Sequence, residues 1–326
     1  MSFLPSFPRF VLGLSAIFVL SNCHDSNRPS AATLFELPQV PTPEVETTEG
    51  PSNPIVLGDI SDKPARVVEN FQPLANYLAA NLSEYGITEG QVKVAPDLIT
   101  MTKWMAQGEV DLYFDSAYPA LQVSTETGAI PILRRWKKGV SGYYSVFFTL
   151  AESNIQSLAN LRGQLIAFDS PYSTSGYMLP VVTLLEAGLT PSLQESPDAI
   201  IDTEKVGYIF SSDDDNTLLW VLEGEVTAGV VDSETFSKLT EEGQDNLRVL
   251  FETEAVPRHV AVAAADLDPA MVDTLKTIMV DMNESKEGAK VLQNFEKTAQ
   301  FDEFPEPNEL NRLKELFQKA SDIHSF

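Results

Sequence analysis

From residue 54 onward, short apolar runs alternate with segments whose apolar residues recur every three or four positions. Pro54–Ile60 (PIVLGDI) reads as a strand. Val67, Phe71, Leu74, Leu78 and Leu82 then repeat at helical spacing, with Ser61 or Asp62 as the cap, Pro64 in the first turn and Gly86 as the stop. VKVA (92–95) and VDLYFDS (110–116) predict strands around a helix at 102–107, and a further helix–strand pair reaches ILRRW (132–136). YYSVFFTL (143–150) predicts one long strand. After it come the turn at 158–162, strand QLIAFD (164–169), a helix over 174–187, strand VGYIF (206–210), a helix over 216–225, strand VTAGVVD (226–232) and a helix over 233–243. LRVLFE (247–252) and RHVAVAAADL (258–267) lead to three closing helices at 269–285, 287–297 and 308–322.

Strands separated by helices define an α/β fold in which mostly parallel sheets are covered on both faces. The extended segments 143–150 and 247–257 have the length to cross between two such units. That division gives one lobe from 55–144 plus 255–326 and a second from 145–254. Ligands in open α/β sheets sit at the carboxyl ends of strands, beside helix N-termini.

The first 54 residues have a different character. Phe10–Leu20 (FVLGLSAIFVL) is an apolar run of eleven residues preceded by one cation, Arg9. It is too short to span a bilayer and reads as a signal peptide over 1–23. Leu20-Ser21-Asn22-Cys23 resembles a bacterial lipobox, in which Cys23 is lipidated and anchors the mature chain to a membrane, although Asn22 departs from the usual small residue. Residues 24–54, rich in Pro, Ser, Thr and Glu, have tether composition. The protein is therefore expected outside the cytoplasm, lipid-anchored and periplasmic or extracytoplasmic.

Charge and composition remove several function classes. The chain carries 47 acids against 22 cations, a net −25, and −22 of this belongs to the part beyond residue 54. Nucleic acid is excluded as a partner, because phosphate backbones need clustered cations. The lone Cys23 leaves no disulfide framework and no cysteine zinc site. Only His24, His259 and His324 are available for histidine chemistry, and Ser175 lacks a G-x-S-x-G elbow, so a serine hydrolase has little support. Asp213, Asp214 and Asp215 are consecutive rather than alternating, unlike a Ca²⁺ loop. Neither a cofactor nor a metal is expected. The basic stretch Arg134-Arg135-Trp136-Lys137-Lys138 reads as a solvated strand end, with lining of the cleft as the alternative.

The chemistry concentrates at Pro171-Tyr172-Ser173-Thr174-Ser175-Gly176, between strand 164–169 and the following helix. Three hydroxyls and successive amides opening a helix form an anion pocket, and the helix dipole adds positive potential there. A simple cap would need one of those hydroxyls. Together with GEVDLYFDSAYPALQV (108–123), YYSVFFTLAESNIQSLANLRGQLIAFDSPYSTSGYMLPVVTLLEAGLTP (143–191), VGYIFSSDDDNTLLWVLEGEVTAGVVD (206–232) and VPRHVAVAAADLDPAMVDTL (256–275), this run resembles the PhnD-like phosphate, phosphite and phosphonate substrate-binding proteins of ABC importers.

The resemblance implies a two-lobed type II periplasmic-binding-protein fold joined by two hinge strands. It also implies capture of a small oxyanion by hinge closure, an ABC permease in the membrane as partner, and no catalysis. It places oxyanion contacts on Ser173, Thr174 and Ser175, an aromatic contact on Tyr118, an acidic residue on Asp232, and an opposing contact from the first lobe around Asp59 to Ser61. One position departs. Where the family has Gly-Ser-His-Asp, this chain reads Ser212-Asp213-Asp214-Asp215, so Asp214 stands at the histidine position. An ionised carboxylate cannot donate to an oxyanion. Asp214 then either accepts a proton from the ligand, pairs with the ammonium of a zwitterion such as an aminophosphonate, serves another ligand such as a cation, or belongs to a solvated acidic turn with a single helix cap. A sensor-coupled binding protein without a permease is the remaining alternative.

Overall fold

The computed structural model describes residues 53–239, 241–305 and 307–324. The signal peptide, the lipidation site Cys23 and the tether up to residue 52 lie outside the described residues.

The chain first lays down β1 (Pro54–Ile60), α1 (Pro64–Asn81), β2 (Glu89–Ala95), α2 (Leu98–Ala106), β3 (Leu112–Asp115), α3 (Ala117–Thr127) and β4 (Ile130–Arg135). It crosses through β5 (Gly142–Tyr143) into β6 (Ser145–Leu150), β7 (Leu165–Phe168), α4 (Leu179–Glu186), β8 (Thr190–Leu193), β9 (Lys205–Phe210), α5 (Asp214–Glu223), β10 (Ala228–Asp232), α6 (Ser233–Ser237), α7 (Glu241–Asp245) and β11 (Leu247–Glu252). It returns through β12 (Val256–Pro257) to β13 (His259–Ala263), α8 (Pro269–Asp281), α9 (Lys286–Asn294), β14 (Phe301–Asp302) and α10 (Pro307–His324).

Two six-stranded sheets result, ordered β14-β4-β13-β3-β1-β2 and β11-β6-β10-β7-β9-β8. Both are mixed, the first mostly antiparallel and the second mostly parallel, as expected. Strands linked by helical crossovers pair in parallel, as β1 does with β2 and β3, and β7 with β9 and β10. The strands next to the crossings, β6 and β13, pair antiparallel with both neighbours. A strand that enters from the other lobe arrives against the direction of its neighbours.

The expected long strand at 143–150 is broken at Tyr144. Gly142–Tyr143 pairs with Val256–Pro257 in a two-stranded ribbon of its own, and only Ser145 onward joins the second sheet. Reciprocal bonds between Ser145 and Thr253 at 3.0 Å continue the ribbon, as does Arg258 N–H donating to Ser141 O at 3.0 Å. The two lobes are thus joined by two short adjacent strands, the geometry of a hinge.

The helices form where the apolar spacing placed them. Val67, Phe71, Leu74 and Leu78 face the first sheet, and the Phe71, Phe114, Phe295 and Phe301 rings pack in that core. Neither Ser61 nor Asp62 caps α1. Its N-cap is Lys63, without a side-chain bond, and Ser61 Oγ accepts instead from the Lys63 amide at 3.0 Å. The helix expected at 233–243 is interrupted, giving α6 and α7. α10 packs on α3 of the first lobe and α4 of the second, so the chain ends as a strap touching both.

The basic stretch is not a solvated strand end. Arg134 pairs with Asp302 and Glu309, and Arg135 is fully buried over the Phe295 ring and bonded to Thr298 and Glu296. Lys137 and Lys138 line cavities. Among the described residues, no helix is long and apolar enough to cross a membrane.

Candidate functional site

β7 ends at Phe168, and the chain turns through Asp169 into a single π-helical turn, Thr174–Met178, that runs into α4. Ser173 is the N-cap, its hydroxyl accepting from Gly176 N–H at 2.9 Å. Thr174 and Ser175 follow at 1% and 8% exposure. Among the described residues no hydrogen bond uses their amides, as the first turn of a helix requires. Gly176 has no substitute here, because a Cβ would sit 2.3 Å from that of Asp169. The turn is pressed against the strand end, and its free amides and hydroxyls are gathered in one place.

Tyr143 of the hinge ribbon closes one side of this turn. Burial raises its pKa, and Arg258 with the neighbouring Ser175 and Thr174 side chains offsets this only in part. Ser145 Oγ donates to Ser175 O at 2.7 Å, tying the turn to β6.

The acidic members come from two neighbouring strand ends. Asp213 caps α5, accepting from Asn216 N–H at 2.7 Å, and Asp215 is exposed. Asp214 is neither cap nor solvated. It turns back toward Asp232 and Asp169, with Oδ2 3.2 Å from Thr235 Oγ1. Asp232 caps α6, accepting from the amides of Glu234 and Thr235 at 2.7 and 2.9 Å. Ser212, just before the cap, holds a left-handed φ of 79°. Such strain in a non-glycine residue falls where the family pattern has glycine.

The pair divides its charge unequally. Burial, then the charges of Asp232 and Asp169, push Asp214 up to about 8. Burial would raise Asp232 too, but the Thr235 amide, Asp214 and Arg258 outweigh it and hold it below the usual carboxylate range. At neutral pH the Asp214–Asp232 pair therefore carries one proton, held by Asp214, and one negative charge.

The first lobe contributes a cavity of about 390 Å³ at the carboxyl ends of β1 and β3, lined by Asp59, Ser61, Asp115, Lys137, His259 and Glu296 among others. Burial, Asp115 and Glu296 raise Asp59 to about 7. Burial and four neighbouring cations, Lys137, Arg135, Arg258 and Lys138, keep His259 neutral. Beside it lies a larger space of about 820 Å³, sharing Arg66, Asn70, Lys138 and Glu296 and adding Lys297 from the first lobe and Lys238 from the second.

The structure thus groups Ser173, Thr174, Ser175, Asp214 and Asp232 in the second lobe, and puts Ser61 in the first-lobe cavity. The ring of Tyr118 does not join them. It is buried against Tyr177 and Phe317, and it borders a separate cavity with Tyr172 and Ser321. Its backbone does take part, since Tyr118 N–H donates to Thr174 Oγ1 at 2.8 Å and so links the lobes. Sequence reasoning missed Tyr143, Arg258 and Asp169. An aspartate and a tyrosine at strand ends carry no motif, and Arg258 is one arginine next to a valine-rich strand.

Two lobes joined by a double-stranded hinge, with hydroxyls and amides opening a helix at a strand end, define a binding protein of the periplasmic type. Comparison with known proteins agrees. Residues 60–306 match the family described as ABC transporter, phosphonate, periplasmic substrate-binding protein, and the chain belongs to that family. Its members are the substrate-binding parts of transporters rather than enzymes. The chain is 25% identical over 246 residues to the phosphate-import protein PhnD of Mycolicibacterium smegmatis, covering 72% of this chain and 74% of that one. Among solved structures it is similar to XAC2383 of Xanthomonas citri. With chloride bound, that protein is 27% identical with a TM-score of 0.76, covering 83% of this chain and 98% of XAC2383. XAC2383 bound to ATP is 26% identical with a TM-score of 0.75, over the same shares. PhnD1 of Prochlorococcus marinus with methylphosphonate shares the fold, at 21% identity and a TM-score of 0.57, covering 82% of this chain and 98% of that one.

The proton on Asp214 has a measurable consequence. The unfolded chain releases it near pH 4, whereas the folded protein keeps it to about pH 8, so stability falls as pH rises between those values. Thermal melting is expected to drop from pH 5 to pH 8.5, and Asp214→Asn should remove about 3–6 °C of that drop. An equal slope in both proteins would overturn the assignment.

Proposed function

We propose that the chain captures a small phosphorus oxyanion, a phosphate, phosphite or phosphonate, between its lobes, and that hinge closure around the ligand presents it to an ABC permease. The observation that carries this reading is the cradle at 173–176: two uncommitted amides, three hydroxyls and the Tyr143 hydroxyl at one helix start. Such donors fit an oxyanion that accepts on every oxygen. Ser173, Thr174, Ser175 and Asp232 are the proposed ligand contacts of the second lobe, and Ser61 is that of the first. Tyr118 contributes its backbone through Thr174. A protonated Asp214 presents no charge to repel the anion, so the departure from histidine needs no cationic ligand.

The placement of charge supports the same reading. In a body of net −22, Arg66, Lys138, Lys238 and Lys297 converge on the 820 Å³ space with only Glu69 and Glu296 as acids. None of the four cations has an ion pair among the described residues. Cations gathered at a mouth attract anions locally even where the distant field is repulsive, because salt screens the distant charges more.

We further propose that Cys23 is lipidated and holds the protein at the outer face of a membrane by the 24–54 tether. Cys23→Ala should move the protein from the membrane pellet to the soluble fraction; persistence in the pellet would end that reading.

A calorimetric screen of phosphate, phosphite, methylphosphonate, 2-aminoethylphosphonate and sulfate tests the ligand class. At least one phosphorus oxyanion is expected to bind, and Thr174→Ala and Ser175→Ala should each weaken it by about 1–3 kcal/mol. Binding of sulfate alone, or full affinity in both variants, would remove the proposal. In stopped-flow experiments, Lys238→Gln combined with Lys297→Gln should slow association about 3–10-fold at low ionic strength and leave it unchanged in high salt. A rate indifferent to these lysines at low salt would deny the mouth its role.

A further inference from the structure

The cradle at 173–176 supplies donors but no full positive charge, and three aspartates stand near it. A cation beside Tyr143 comes from neither lobe's sheet. Arg258 sits on the return crossing, between β12 and β13, where its amide is fixed to Ser141 O. Its guanidinium lies over the Tyr143 ring, 4.4 Å from the centroid, and Tyr143 is the residue whose titration the Thr174 and Ser175 side chains influence. The side chain is 13% exposed.

Most arginines of the described chain spend their forks on carboxylates or carbonyls. Arg134 grips Asp302 through two nitrogens, Arg248 caps the Ala151, Ser153 and Ile155 carbonyls, and Arg312 holds Glu254. Arg258 has one long bond, Nε to Glu234 Oε2 at 3.4 Å. Among the described residues nothing bonds its Nη1 or Nη2, and neither is sealed from solvent. A largely buried guanidinium stacked on Tyr143 with two free nitrogens is an unfilled fork, matched in geometry to two oxygens of a tetrahedral oxyanion.

We infer that Arg258 is the cationic anchor of the ligand, its Nη1 and Nη2 taking two oxygens of the phosphorus oxyanion while Glu234 serves as its resting partner. The inference rests on the proposed oxyanion site and adds what that site lacks, a charge. It also makes the ligand's charge felt at the hinge, because the anchor belongs to one of the two crossing strands. A ligand bridging the cradle of the second lobe and an arginine on the crossing gains contacts that exist fully only when both are in register, which is the differential affinity closure requires.

Calorimetry with methylphosphonate and with inorganic phosphate tests this on the full chain. Arg258→Gln is expected to weaken the bound anion by about 100-fold and Arg258→Lys by about 10-fold, the lysine keeping the charge without the fork. Glu234→Gln leaves the arginine in place and removes its competitor, so binding should be unchanged or tighter by up to about 10-fold. Melting curves identify any variant that fails to fold. If Glu234→Gln weakens binding as Arg258→Gln does, the ion pair is structural and the inference falls. It also falls if Arg258→Gln stays within about twofold of the parent while Ser175→Ala loses affinity, an outcome that leaves the oxyanion site standing. If the parent chain binds neither probe, the site reading fails first and takes the inference with it.

Discussion

A chain with more than two acids per cation has to hold an anion at the edge of its sheets, and the local arrangement follows from that constraint. Strand carboxyl ends and helix starts are where α/β folds place their ligands. They are also where this protein has put Asp59, Asp115, Asp169, Asp214 and Asp232. Left ionised together, these groups would repel one another and any incoming oxyanion. The structure manages them in two ways. Burial raises Asp59, Asp115, Asp169 and Asp214, helped at Asp59, Asp169 and Asp214 by neighbouring acids, and at Asp214 a proton replaces the charge. Asp232 stays ionised because helix amides and Arg258 stabilise it.

The same economy shows in the cations. Lys137 and Arg135 are taken up by Glu296, and Arg134 by Asp302, in the ion pairs that fix α9, β14 and α10 against the first sheet. The remaining positive groups of this region divide between the mouth, where lysines of both lobes face one space, and the crossing, where Arg258 stands alone. Lys138 and Lys297 at the mouth both hold left-handed backbone, as does Glu296 in the same lining. Strain of this kind persists only where the surroundings enforce it, and it collects at ligand clamps more than elsewhere.

Much of this was legible in the sequence, for definite reasons. β1 runs from Pro54 to Ile60 because a proline can begin a strand and PIVLGDI has nowhere else to bury its apolar residues. The hydroxyl run at 173–175 was readable because three caps in succession exceed what one helix start needs. What escaped was whatever depends on a partner far along the chain. The break at Tyr144 is invisible in YYSVFFTL, since it arises only when Val256–Pro257 pairs with Gly142–Tyr143. Thr190–Leu193 and Phe301–Asp302 are too short, or too proline-bearing, to announce themselves as strands. The family resemblance made Tyr118 a ligand contact, but the aromatic surface of α10 claims its ring.

The contrast between Asp213, Asp214 and Asp215 shows why residue type alone under-determines a site. The three are chemically identical and adjacent. One accepts an amide and caps a helix, one faces water, and one turns inward to a second carboxylate. The helix periodicity that begins at Asp214 decides this, because a first-turn side chain at that position points back over the strand ends while its neighbours point out. An inward carboxylate beside Asp232 cannot remain charged without cost, so it takes a proton, and a protonated carboxyl is a neutral group of the kind an anion site tolerates. The position that carries histidine in the family pattern can therefore be an aspartate without reversing the sign of the site, provided the second carboxylate stays close enough to keep the proton there.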